Sequence, residues 1–550
     1  MFSRISAGGK PMRFASHQIS KPMTGSPGVE AGSAEIQGIL RFRRQLAASC
    51  LLFALLIASA PLAAGLPAFP GAEGGGALAV GGRGGAVCKV TNLDDSGPGS
   101  LRNCIEMEGP RIVIFAVGGT IKLKNRLRIQ NPYITIAGQT APGGGIQLKA
   151  DKDGYDRGDL LIIDADHVVV RFLRIRTGYT PLSIGSIRVV SSSNIIVDHV
   201  SMAWSTNQNW SFAPWTNNGP SNVTLQNSIV TDMIDGRVNM LIGTQNPRTI
   251  NMTNLDHHNN FIANSSHRNP LAGHRSGRWV NNIIYHWTSW ASRSIGGVEH
   301  DWVSNLWRPG PTAPGGRGQH ELQFIPSHYE YNGHELVYSS GRTLEPNLDR
   351  IIEGNPSVYV EGNRGYQSGM SPDEDNWPYT RVSGYEAATQ ILHHNGHPME
   401  VPPVEWRRHH PLPDTPIPIT ARHVNELEDY LLPIVGASKR LDCDGNWVPN
   451  RDAADQRAID EYLNNEGRIS TGGEGEEIYG GHPYLAAGTA CLDTSGDGVP
   501  DQWAIANGLD PEDPMLGARL HDSGYTFLEL YLNGLQLNLA RPSRVTITVE

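Results

Sequence analysis

"NIIVDHVSMAWS" (Asn194–Ser205) holds two short runs of aliphatic and β-branched residues parted by a polar turn. Segments built the same way precede and follow it: "HVVVRFLRIRTG" from His167, "NVTLQNSIVTD" from Asn222, "LDHHNNFIANS" from Leu255, "RWVNNIIYHW" from Arg278 and "DWVSNLW" from Asp301. Setting Phe172, His199, Ser228, Asn260, Asn282 and Asn305 in one column gives spacings of 27, 29, 32, 22 and 23 residues. A loose period in the twenties, with one polar turn residue per repeat, predicts a parallel β-helix. A single coil cannot bury its apolar face, but stacked coils share a core. Asparagines in the turn column are expected to hydrogen-bond from coil to coil. A β-sandwich would need hairpin turns every eight to twelve residues, and two-residue hairpin turns are scarce here. The expected class is therefore all-β, with the helix over residues 66–370.

The chain has 550 residues, which suits two or three domains better than one core. It carries 62 Gly, 37 Pro and only 7% aromatics, a composition for many turns and little helix. A formal charge of −10 argues against a nucleic-acid partner, because phosphate attraction needs a broad basic face. "RFRR" (Arg41–Arg44) followed by "LAASCLLFALLIASAPLAAG" (Leu46–Gly65) reads as a basic n-region, an apolar run and a small-residue cleavage site. Pro61 breaks the apolar run, so a cleaved signal is expected rather than a stable membrane anchor. Residues 1–65 are assigned to this extension and signal, and the exported chain is expected to be a secreted monomer. Cys50 leaves with the signal. Cys88, Cys104, Cys443 and Cys491 remain, an even number that suits disulfides. Of three connectivities, the two local pairs Cys88–Cys104 and Cys443–Cys491 are favoured.

Residues 371–470 lose the repeat and become rich in Pro and His, ending in "RDAADQRAIDEYLNNEGRI" (from Arg451), which reads as a short amphipathic helix. Residues 471–550 form an expected C-terminal appendage. In "CLDTSGDGVPDQW", Asp493, Ser495, Asp497 and Asp501 are spaced as oxygen donors around a turn at Gly498, a pattern suited to Ca²⁺. No Glu follows at the twelfth position of an EF-hand, and a solvated acidic turn is the plainer alternative.

Most basic of all is "SSHRNPLAGHRSGRWVNN" (Ser265–Asn282), which gathers His267, Arg268, His274, Arg275 and Arg278 within twelve residues of an acidic chain. Such a cluster points to a specific anion or to a solvated loop. Eight tryptophans fall between Trp204 and Trp307. They could fill a core or stack on sugar rings.

The segments "AFPGAEGGGALAVGGRGGAVCKVTNLDDSGPGSLRNCIE" (Ala68–Glu106), "ITIAGQTAPGGGIQLK" (Ile134–Lys149), "VVVRFLRIRTG" (Val168–Gly178), "SNIIVDHVSMAWS" (Ser193–Ser205) and "HRNP" (His267–Pro270) resemble pectate lyases of polysaccharide lyase family 1. The tail resembles the thrombospondin-3/EF-hand-like calcium appendage that often follows such lyases. The resemblance implies a right-handed parallel β-helix and an acidic polysaccharide, pectate or pectin, cleaved by β-elimination. Arg268, in the R-x-P match, carries by resemblance the role of Brønsted base. Free Arg has a pKa above about 12, so such a base needs a site that poises it. His267, His274, Arg275 and Arg278 could supply that crowding or bind substrate carboxylates. Arg237 falls where the family places a basic group for substrate. Alternatively Arg268 merely pairs with an acid such as Asp256.

The chain also departs from the family pattern. Gly185 stands where an Asp is typical, and Asn207-Gln208 where Asp-Glu is typical. Those carboxylates hold the family's catalytic Ca²⁺, so calcium on this face is not expected. Lyase activity should then survive chelation, with a preference for partly esterified substrate. Asp198 and His199 match a "DH" that is structural in the family. Loss of the acids also fits a second reading, a β-helix that binds polysaccharide without cleaving it.

Overall fold

The computed structural model describes residues 65–537 except 157, 181, 215–218, 237, 244–250, 313–320, 327, 332–333, 338–351, 383–392, 395–396 and 399–400. The described residues belong to one compact unit. Three parallel sheets of ten, nine and nine strands run its length among the described residues. One coil takes Val168–Arg171 in the first sheet, Arg174–Arg176 in the second and Ile187–Val189 in the third. The next begins with Ser193–Asp198, paired in parallel with the strand before it. This is the parallel β-helix that the repeat predicts.

The repeat period comes from the tight corner between the first and second sheets. Phe172, His199, Asn227, Asn259, Asn281 and Ser304 stack there with φ between 51° and 54°. Asn tolerates this left-handed conformation best among non-glycine residues. Strand pairing places Asp198 opposite both Arg171 and Gln226. The column drawn from sequence therefore slips by one residue in its first two members: Ser228 is level with Val200 and Leu173, not with His199 and Phe172. From Ser228 onward the column is a hydrogen-bond ladder. The Asn260 side-chain carbonyl accepts from the Ser228 amide at 3.0 Å. Asn282 accepts from the Asn260 side chain at 3.0 Å, Asn305 from Asn282 at 2.9 Å and Asn363 from Asn305 at 3.0 Å. These amides are fully buried or nearly so, so each needs the partner the next coil supplies.

Isoleucine, valine and leucine fill the interior of the early coils, and Trp279, Trp302 and Trp307 that of the later ones. Six of the eight tryptophans are fully buried. Core packing thus claims Trp204, Trp210, Trp279, Trp287, Trp302 and Trp307, and sugar stacking does not. Trp215 lies outside the described residues.

Two sheets are covered. Ala68, Phe69, Ala72, Ala77 and Ala79 lie on Val169 and Ile196 of the first sheet. The approach is so close that a Cβ on Gly76 would sit 1.9 Å from the Ile195 carbonyl oxygen, which explains the glycine run. The expected helix forms over Ala453–Asn464, with the Asp452 carboxylate capping the amides of Ala454 and Asp455. It packs on Phe261, Ile283 and Tyr285 of the second sheet. Ion pairs from Arg176 to Asp452 and Asp455 clamp it there. In the tail, Trp503, Leu528 and Tyr531 pack against Ile112, Ile114 and Ala137. The disulfides are Cys88–Cys104 and Cys443–Cys491, as expected. No helix among the described residues is long and apolar enough to cross a membrane.

Candidate active site

The third sheet turns Arg188, Ser211, Leu241, Leu271 and Arg293 outward in register, one per coil. Arg268 stands at the corner leading into this face, between the strands Phe261–His267 and Leu271–Ala272. Its φ is 64°, and the Asn269–Pro270 peptide that follows is cis. Asn269 is buried and anchors the corner: its Oδ1 accepts from Asn239 at 3.1 Å and from Ser265 at 2.7 Å. The half-buried Arg268 side chain makes no hydrogen bond or ion pair among the described residues, and its Nε is buried without a partner.

The basic cluster does not stay together. Between Ser265 and Asn282 the chain passes from the second sheet through the third to the first, so successive side chains face different sides. His267 and Arg268 share the corner. His274 is fully buried inside the β-helix, 4.3 Å from the His300 ring. Arg275 pairs with Glu299 at 2.6 Å and is partly exposed at the edge of the first sheet. Arg278 is buried and pairs with Asp256 at 3.1 Å, also on the first sheet. The expected grouping of His274, Arg275 and Arg278 around Arg268 is therefore corrected, as is the alternative Arg268–Asp256 pair. Asp256 is taken up by Arg278 and by the Gly75 amide at 2.7 Å. Arg237 lies outside the described residues.

Neither histidine supplies positive charge near neutrality. Burial, then the nearby Arg268 and Arg293, push His267 down to about 3. Burial does the same to His274. What joins Arg268 instead is Arg293, one coil further on. Its guanidinium lies 3.9 Å above the Trp290 ring, and its Nε donates to Gln323 at 2.9 Å. The His267 ring packs on the same indole at 5.0 Å. Sequence reasoning missed Arg293 because it lies outside the basic run. Its signal was the register, which sets it level with Leu271.

Asp198 and His199 are structural, as expected. Asp198 is fully buried and accepts from Arg171 at 2.9 Å, Gln226 at 2.9 Å and Asn227 at 3.0 Å. Its neighbours His199 and Arg171 hold its carboxyl well below the usual range, outweighing the opposing effect of burial.

On the third-sheet face, the carboxylate beside Gly185 is that of Asp159, whose Oδ1 is buried without a partner among the described residues. Gly185, Asn207 and Gln208 bring no carboxylate, and no group of three His, Cys, Asp or Glu residues converges among the described residues. In the tail, the expected ligands are engaged by protein donors. Asp493 accepts from Gly496 at 2.8 Å and Gly498 at 3.0 Å, and pairs with Lys89 at 2.9 Å. Asp497 accepts from Val499 at 2.9 Å and Gly517 at 2.6 Å. Asp501 accepts from Thr494 at 2.8 and 2.6 Å, while the Ser495 hydroxyl turns to Asp493 at 3.4 Å.

No family model matches the chain. It is 30% identical over 486 residues to a probable pectate lyase C of Aspergillus fumigatus, covering 86% of this chain and 94% of the relative. It is 31% identical over 479 residues to the probable pectate lyase C of Aspergillus oryzae, with the same coverage. Among solved structures, pectate lyase II from Xanthomonas campestris aligns with a TM-score of 0.38 and 13% identity, over 67% of this chain and 98% of that one. The major allergen of cedar pollen aligns with a TM-score of 0.39 and 17% identity, over 66% and 92%. With nearly the whole length of its fungal relatives matched at about three residues in ten, this chain belongs to the pectate lyase family.

Proposed function

We propose that this protein is a secreted polysaccharide lyase that cleaves pectate- or pectin-type polyuronates by β-elimination, with Arg268 as the base. The observation that carries this reading is Arg268 itself: a half-buried side chain at the corner leading into the third sheet, with no acid among the described residues to tie it up. Arg268 acts as the neutral guanidine: it takes the C5 proton, which the adjacent carboxylate makes acidic, and becomes the guanidinium. The C5–H electron pair becomes the C4–C5 double bond, the C4–O bond breaks, and the departing glycosidic oxygen takes a proton from solvent. Arg293, held by Trp290 and Gln323, offers a second positive charge against the enediolate that develops. The test is full-length protein on pectate, on pectin of graded esterification and on other polyuronates. Growth of ultraviolet absorbance from the unsaturated product is expected. Binding of any of these chains without that product would favour the non-catalytic reading.

A structural Ca²⁺ at Asp493, Ser495, Asp497 and Asp501 rests on spacing alone, and a cation there would share Asp493 with Lys89, which pairs with its Oδ2 at 2.9 Å. If it binds the folded state only, the melting temperature of the full chain rises with the logarithm of free calcium. Identical melts in calcium and in chelator would remove it.

A further inference from the structure

The corner that carries Arg268 holds one residue more than the coil before it. Val238 bridges His267 and Leu241 pairs with Leu271, so three steps along one coil face four along the next. The surplus falls at Arg268, the one residue of that stretch with a left-handed φ, 64°. This is the form of a β-bulge, which bends a strand and re-aims a side chain. Aim matters here, because the Arg268 side chain has no hydrogen bond or ion pair of its own among the described residues. Its direction is set by the backbone on either side.

Asn239, on the preceding coil, grips both neighbours of Arg268. Its backbone N–H donates to the His267 carbonyl at 3.3 Å. Its Nδ2 donates to Asn269 Oδ1 at 3.1 Å. Between these two contacts, the Met240 N–H donates to the Arg268 carbonyl at 2.8 Å. Ser265 Oγ donates to the same Asn269 Oδ1 at 2.7 Å, and Ser292 Oγ donates to the Asn269 carbonyl at 2.6 Å.

Asn239 is also a rung of a second ladder, separate from the one that runs from Ser228 to Asn363. Ser186 Oγ donates to Asn209 Oδ1 at 3.0 Å, and Asn209 Nδ2 donates to Asn239 Oδ1 at 3.1 Å. Each of these amides also donates to a carbonyl of the second sheet, Asn209 to Thr231 at 2.8 Å and Asn239 to Val230 at 3.1 Å. Ser186, Asn209, Asn239 and Asn269 are all 0% exposed, so each depends on these partners and none reaches substrate. The ladder ends at Asn269, beside the bulge.

We propose that Asn239 is a positioning residue for the lyase reaction: it clamps the bulge and so aims the Arg268 side chain at the C5 proton. The inference rests on the polyuronate-lyase reading. A displacement of about 1 Å can cost about 100-fold in rate, while the contacts that hold the sugar chain stay in place. Loss of the clamp is therefore a loss of kcat and not of KM.

The test uses full-length protein and the polyuronate that wild type cleaves best, with kcat counted per folded molecule. Asn239→Leu keeps the side-chain volume and removes the amide. It is expected to lower kcat at least about tenfold with KM within about twofold. Asn282→Leu is the control. Asn282 is equally enclosed in the other ladder and donates to the His257 carbonyl and to Asn305, each at 2.9 Å. It should lose comparable stability and keep kcat within about twofold. In an Arg268→Lys background the base is already gone, so Asn239→Leu should cost less than about twofold further. A merely structural role would cost the same in both backgrounds. If Asn239→Leu does not fold, Ser265→Ala takes its place: it removes one hydroxyl from Asn269 and should lower kcat about threefold with KM level, again only where Arg268 is present. An unchanged kcat in the folded variant, a KM rise as large as the kcat loss, or an equal loss in the Arg268→Lys background would overturn the proposal. Absence of any cleavage by wild type would instead sink the lyase reading itself, and the positioning role with it.

Discussion

Arg268→Lys is expected to lower turnover on polyuronate by at least about 100-fold, as loss of a positioned proton acceptor does, while the melting temperature stays within a few degrees of wild type. The substitution keeps the positive charge and the stem but removes the planar guanidine. It breaks no ion pair, because Arg268 has none among the described residues. It leaves the Asn269 ladder that anchors the corner untouched. The left-handed φ of 64° is no worse for Lys than for Arg. A partly exposed residue with no polar partner contributes within about 0.5 kcal/mol to stability. Rate and stability should therefore separate. Arg275→Lys serves as the control: that side chain pairs with Glu299 on the edge of the first sheet, and turnover should stay within twofold. If Arg268→Lys works within a fewfold of wild type, Arg268 has no part in the chemistry.

The fold was legible because the coil repeats its chemistry. Asn260, Asn282 and Asn305 are buried amides whose only compact solution is a partner one coil away, so their spacing reports the coil length directly. Phe172 and His199 misled by one residue, because the corner has two adjacent special positions. One needs a positive φ and the other a buried amide, and only the second is visible as a run of Asn. The site was less legible. A basic run within twelve residues looks like one surface, yet a coil visits all three sheets in little more than twenty residues. Arg275 and Arg278 are thereby carried to the first sheet and His274 to the interior. Arg293 and Asp159 belong to the site's face through register, which no local pattern displays. Gly185 was read as an acid lost. The structure adds its physical reason, since Asp159 already occupies that space.

His274→Leu is expected to leave stability near pH 7 within about 1.5 kcal/mol of wild type, the range for a swap of similar volume, and to stabilise the protein strongly in acid. His274 lies fully buried beside His300. Burial lowers it from 6.5 to about 3. His257 and His300 are held well below 6.5, first by burial and next by the charge His274 would carry. A folded-state pKa below the unfolded value means that the unfolded chain takes up protons which the folded chain refuses. Stability from His274 is therefore complete above pH 6.5 and is lost as the pH falls toward 3. At pH 4 the loss from this one ring is about 3 kcal/mol, a large share of a typical net stability of 5–15 kcal/mol. Replacing the ring with an apolar side chain removes that proton uptake and eases the charging of His257 and His300. Denaturant unfolding of the full chain from pH 7 to pH 4 should show a shallower loss for His274→Leu, with the difference from wild type growing steadily below pH 6.5. Parallel curves for the two proteins would mean that His274 takes its proton in the folded state, and that the interior of the later coils tolerates a charge.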